Sequence, residues 1–250
     1  MSLLYKYRKF NEYTNNISTK SELCFSTFDK FNDPFDCNLD FRNENTYIYP
    51  DLKDFKKEIA KKRGMSKRLF NKNLSLKGYA REHKKFILDM KNESGILSMS
   101  KTCANILMWS HYADDHKGLC FGFMALESND ECFKKGTPVS YSKDEIYTPI
   151  NVFSTNYEEE LTRLFSTKSK YWEYEEEFRF ITINSNGLKN FSKESLREII
   201  FGCKADETNI RKIIQLCQLN GFEHVIFKKA RIVSGKFELD FEDIDKSRYL

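Results

Sequence analysis

Around residue 172 the chain reads Tyr171-Trp172-Glu173-Tyr174-Glu175-Glu176-Glu177-Phe178-Arg179-Phe180-Ile181-Thr182. Acids crowd the entrance of a stretch otherwise made of aromatic and β-branched residues, which predicts a strand over 175–183. Strand alternation puts Glu175, Glu177 and Arg179 on one face and Glu176, Phe178 and Phe180 on the other. A carboxylate on a strand that must also bury an apolar face is costly unless it is paired or at work. Two readings compete. One is an edge strand whose inward charges and Arg179 salt bridge guard against aggregation. The other is a Glu poised against a cationic transition state, with Arg179 holding or tuning the carboxylates.

Other residues with chemical capacity are scattered. Arg8 closes a first strand that carries Tyr5 and Tyr7, a placement suited either to clamping a phosphate beside a stacked ring or to a plain surface arginine. Ile106-Leu107-Met108-Trp109-Ser110-His111-Tyr112-Ala113 has helical spacing, so most of it packs. His111 there is a core histidine or a base, and His116 falls at the helix end. In Asn32-Asp33-Pro34-Phe35-Asp36 two carboxylates could face a metal, but no His or Glu stands near in sequence, and an Asx turn suits the loop better. There is no P-loop, GxGxxG, HExxH or GxSxG, which removes the commonest NTPase, dinucleotide-fold, zinc-protease and hydrolase readings.

The elements that must position these groups are mixed. Strands are expected over 3–8, 22–27, 95–101, 118–123, 138–142, 175–183, 198–202, 224–233 and 236–242. Helices are expected over 105–115, 157–171 and 206–219, with a helical turn in 11–21. Between residues 51 and 93 lysines dominate and apolar residues recur at helical spacing (Leu52, Phe55, Ile59, then Phe86, Leu88, Met90), which reads as a Lys-rich helical insertion. Strands are too dispersed among helices for a βαβ series. The expected fold is α+β, a single domain over 1–250 with a split, largely antiparallel central sheet.

Composition sets the outer bounds. The 250 residues are 40% hydrophobic with 22 Phe and 13 Tyr, enough for a real core, and Gly and Pro number only 10 and 4. A net charge of +4 suits a phosphate-bearing ligand and is too small to imply nucleic acid by itself. The seven cysteines form no CxxC pair and read as reduced thiols. No apolar run nears the ~18 residues of a membrane span, and no signal-peptide core follows Met1, so a cytoplasmic protein without a membrane partner is expected.

Several stretches resemble the bacterial domain of unknown function 2971 family. They are Leu4-Tyr5-Lys6-Tyr7-Arg8, Phe25-Ser26-Thr27 through Phe31-Asn32-Asp33-Pro34-Phe35-Asp36, and Met108-Trp109-Ser110-His111-Tyr112-Ala113 with Lys117-Gly118. Trp172-x-Tyr174-Glu175-x-Glu177 and Ile200-Phe201-Gly202-Cys203 complete the set. A second resemblance is to ADP-ribosyltransferases of the arginine–serine–glutamate type. Arg8, Ser98-Met99-Ser100 and Glu175-Glu176-Glu177 stand in that family's order, although Lys9 and Met99 occupy positions where Gly and Thr are usual.

This second resemblance implies an ADP-ribosyltransferase-like core with NAD as substrate. Arg8 would bind the NAD phosphate or ribose and Ser98 would brace the nicotinamide-ribose pocket. Glu177 would stabilise the oxocarbenium and Glu175 would orient the acceptor, with Tyr7, Ser100, His111 and Arg179 also lining the NAD site. A toxin or phage-defence effector acting on protein or nucleic acid is the implied role, with Lys61–Lys85 as an acceptor surface. On this reading Glu177→Gln abolishes NAD cleavage with little change in melting temperature. Two alternatives stand: a metal-dependent nuclease built on Asp33, Asp36, Glu175, Glu177 and His111, and a non-catalytic nucleic-acid or partner-binding module using the basic insertion.

Overall fold

The computed structural model describes residues 3–38, 76–125, 130–143, 150–151 and 156–249, and also residues 53, 54, 57 and 61. The chain opens on strand β1 (Leu4–Arg8), then helix α1 (Glu12–Lys20) and strand β2 (Glu22–Phe25). The expected helical turn is thus a full nine-residue helix, started by the Asn11 side chain accepting from the Thr14 N–H. Most of the expected Lys-rich insertion lies outside the described residues. Its last part is helix α2 (Leu76–Glu93), which buries Ile87 and Met90.

Strand β3 (Gly95–Ser100), helix α3 (Ile106–Tyr112) and strand β4 (Leu119–Phe123) follow. The segment expected as one strand at 138–142 is two, β5 (Gly136–Pro138) and β6 (Ser140–Ser142), because after Val139 donates its N–H to Glu177 O the chain changes partner and Ser140 donates to Ser166 O. Helix α4 (Tyr157–Phe165) stops well short of residue 171. The Ser166 and Thr167 hydroxyls bond back to carbonyls of the last turn and end it, the competition that makes such residues poor helix continuers. Residues 167–169 become strand β7 (Thr167–Ser169), parallel to β6, and a 3-10 helix covers Lys170–Glu175.

Strands β8 (Glu177–Thr182), β9 (Gly187–Asn190) and β10 (Leu196–Phe201), helix α5 (Glu207–Leu219) and strands β11 (Ile226–Ile232) and β12 (Leu239–Asp243) complete the chain. Eight strands form one sheet in the order β12-β11-β10-β4-β1-β3-β8-β5. All its pairings are antiparallel except β10 with β11, so the fold is α+β with a large, mostly antiparallel sheet.

Apolar clusters pack against both faces of the sheet. Leu4, Met99, Phe121, Phe123 and Phe180 pack with Ile17 of α1 and Ile213 of α5, while Tyr7 and Cys120 pack against Met108 and Trp109 of α3. One join in this sheet is short. β1 and β3 share a single residue pair, Tyr5 with Ser100, whereas β1 matches β4 along all five residues. Beyond that pair the strands part, and further along the same edge of β3 Ser26 exchanges two backbone hydrogen bonds with Ile96. A cavity opens in the gap.

Candidate active site

The cavity has a volume of about 260 Å³, and Arg8, Ser98 and Glu177 all line it. Three strands bring them together: β1 carries Arg8, its neighbour β3 carries Ser98 and Ser100, and β8 beside β3 carries Glu177 and Arg179. Along β3 and β8, Ser100 stands opposite Glu177 and Ser98 opposite Arg179, so all four share one face. Met99 and Phe178, the intervening pair, face the core.

Glu175 reaches the site differently from the expectation. It is the last residue of the 3-10 helix, and Glu176 takes the left-handed conformation (φ 44°) before β8 begins. Simple alternation from Glu175 therefore fails. The kink is held by the buried Ser100 hydroxyl, which donates to the Glu175 carbonyl at 2.7 Å. Its effect is to aim both carboxylates, two residues apart, at one ammonium: Lys168 Nζ lies 2.5 Å from Glu175 Oε2 and 3.2 Å from Glu177 Oε2.

Arg179 is wholly buried, and its five donors are all used. Nε and NH2 donate to the two oxygens of Glu177 at 2.8 and 2.9 Å. NH1 and NH2 donate to Asp36 at 2.9 and 2.5 Å, and NH1 also meets the Phe165 carbonyl at 2.7 Å. It braces Glu177 and has no donor left for a ligand. Tyr112 donates to Glu175 Oε1 at 2.6 Å and accepts from the Asn32 amide. The loop 28–38 is thereby tied to the site at Asn32, as it is at Asp36 by Arg179.

These partners set the charges. Burial alone would raise the Glu177 carboxyl, but Arg179 and then Lys168 outweigh it and hold it well below the usual carboxylate range. Glu175 moves the other way: burial raises it, and Lys168 only partly offsets that while the Glu177 charge adds to it. The two acids are tuned apart, one fixed as an anion and one closer to protonation. Burial would lower Lys168, yet Glu177 and Glu175 leave it more firmly charged than an ordinary lysine.

The remaining cations of the cavity are Lys6, Arg8 and Lys30, and among the described residues none of them is in a salt bridge. Arg8 Nε is buried and has no hydrogen-bond partner among the described residues. Five basic side chains thus face three acidic ones, and the pairing uses only Lys168 and Arg179. An anionic ligand is favoured.

Tyr7 also lines the cavity, its hydroxyl donating to the Thr102 carbonyl at 2.9 Å. His111 does not line it; the residue is exposed on α3, its ring 6.3 Å from those of Tyr112 and Tyr174. His116 lies outside as well, its Nε2 3.1 Å from Ser110 Oγ. Asp33 makes an Asx turn, accepting from the Phe35 N–H at 2.9 Å, whereas Asp36 joins the ion network. The metal-centre arrangement meets an obstacle here: Lys168 and Arg179 occupy the oxygens of Asp36, Glu175 and Glu177 that a cation would need. Among the described residues no group of three or more His, Cys, Asp and Glu is arranged to hold a metal ion.

Sequence reasoning missed Lys6, Lys168 and Tyr112. Lys168 was hidden by the helix expected through residue 171. Lys6 stood in plain view, on the same strand face as Arg8.

All seven cysteines are free thiols, and among the described residues no helix is long and apolar enough to cross a membrane. No curated protein and no solved structure matches the chain. Residues 108–180, which supply Tyr112, Lys168, Glu175, Glu177 and Arg179 to the cavity, match the family model described as Protein of unknown function (DUF2971).

Proposed function

We propose that the protein cleaves the bond between nicotinamide and ribose in NAD and transfers ADP-ribose to an acceptor. The observation that carries this reading is the meeting of Arg8, Ser98 and Glu177 in one cavity from three separate strands. In such a reaction the C–N bond breaks with its electron pair going to nicotinamide, leaving positive charge on the ribose. A carboxylate already ionised and fixed in place stabilises that charge without reorganising, and Glu177 is held so by Arg179 and Lys168. Arg8 faces the diphosphate, Ser98 the ribose, and Glu175 the incoming acceptor, whose proton passes to solvent as the new bond to the ribose forms.

The test is free nicotinamide released from NAD by the purified protein. Release is expected from the wild type and its loss in Arg8→Gln and Ser98→Ala, both of which leave the ion pairs of Lys168 and Arg179 in place. Absence of release, and of ADP-ribose transfer to a whole-cell lysate, overturns the reading.

A further inference from the structure

Lys6 and Arg8 are alternate residues of β1, about 7 Å apart along the strand. Both line the gap left where β1 parts from β3. Lys6 is half-buried, and its Nζ donates to the Ser98 carbonyl at 2.5 Å, which fixes the ammonium across the gap. Two lysine N–H groups remain, beside the unpartnered Arg8 Nε. A pair of cations without salt-bridge partners among the described residues, set side by side in a recess, matches the paired charges of a diphosphate.

We infer that Lys6 is a second anchor for a diphosphate group, acting beside Arg8. This deepens the NAD reading by assigning the phosphate contacts, and it also stands without any catalysis. Burial, and then the Arg8 charge, push Lys6 down to about 7. The groups facing it are Arg8 on β1, Cys24 on β2, Glu177 on β8 and Glu175 on the 3-10 helix. A bound diphosphate adds negative charge next to the ammonium and raises it again, so binding takes up a proton. The sign follows. Affinity is full below about pH 7, where Lys6 is already charged, and falls as the pH rises toward the value Lys6 has in the complex.

ADP-ribose is the probe, because its diphosphate stays ionised throughout this range. Calorimetry is run between about pH 6 and about pH 9. The wild type is expected to bind with proton uptake and to weaken about tenfold over that interval. Lys6→Met loses about tenfold at the lower pH and has no pH slope, whereas Lys6→Arg keeps the affinity and also loses the slope. A purely structural Lys6 would leave the slope unchanged when the fold survives. Failure of the wild type to bind ADP-ribose, or Lys6→Met binding with the wild-type profile, overturns the inference. ADP-ribose binding that needs Lys6, with no nicotinamide released from NAD, keeps this subsite and removes the transfer reading. Nicotinamide release with a Lys6-independent profile does the reverse.

Discussion

Arg179 holds Asp36 from 143 residues further along the chain, through two parallel hydrogen bonds of 2.9 and 2.5 Å. The same guanidinium grips Glu177. One side chain therefore joins the loop over the cavity to the carboxylate inside it. Asp36, itself on the cavity wall, thereby helps to set the angle at which Glu177 is presented.

Replacing Asp36 by Asn removes one charge from a buried network and leaves Arg179 short of a partner. Breaking such a pair costs about 3–5 kcal/mol. Denaturant melts of Asp36→Asn are expected to show a loss of that size, and nicotinamide release is expected to drop further than the folded fraction does. An unchanged midpoint would mean that the Asp36–Arg179 contact contributes nothing.

Glu177→Gln has a different consequence from the one the sequence suggests. An exposed catalytic acid could be neutralised with little effect on melting. Glu177 is only 4% exposed and carries both Arg179 and Lys168. The substitution is expected to destabilise by about 3–5 kcal/mol and to cut NAD cleavage by about a hundredfold or more where the protein remains folded. Activity is therefore measured at low temperature, with circular dichroism in parallel. Full activity in a folded Glu177→Gln protein removes the mechanism.

Much of the frame was legible because it rests on local patterns. Leu119-Cys120-Phe121-Gly122-Phe123 announces a strand buried on both faces, and it is one. Asp206 before and Gly221 after α5 mark that helix's ends. What escaped depends on partners distant in the chain. Nothing near Thr167-Lys168-Ser169 says that it pairs with Ser140–Ser142 or that its lysine turns inward; both follow from tertiary packing. The left-handed Glu176 breaks the alternation that placed Glu175, and only the Ser100 hydroxyl, 75 residues away, explains why. Charged residues in a strand signalled that something unusual was buried. They did not say with what.

Acid stability should carry the signature of this tuning. Glu177 has a folded value below its unfolded one, so it contributes stability that is present above about pH 4.3 and is lost as the pH falls toward the folded value. Glu175, raised on folding, acts in the opposite sense. The denaturation midpoint of the wild type is expected to fall between about pH 5 and about pH 2. In Glu177→Gln that limb flattens, while in Glu175→Gln it does not. Equal slopes in all three proteins contradict the assignment of the low value to Glu177.

Gly118 governs where Arg8 sits, through backbone alone. A Cβ at this position would lie 2.2 Å from the Arg8 carbonyl oxygen and 2.9 Å from Ala113 C and O. Neither neighbour is a flexible side-chain end, so one strand must move. Gly118 is also tied in place, donating to Ala113 O at 2.7 Å and accepting from Gly202 N at 2.9 Å. Gly118→Ala is expected to cost about 1–3 kcal/mol and, by shifting the end of β1, to weaken ADP-ribose binding more than Arg8→Lys does. Calorimetry on the folded fraction distinguishes the two effects. A Gly118→Ala protein with wild-type melting and wild-type affinity would show that β1 can yield there without moving its arginine.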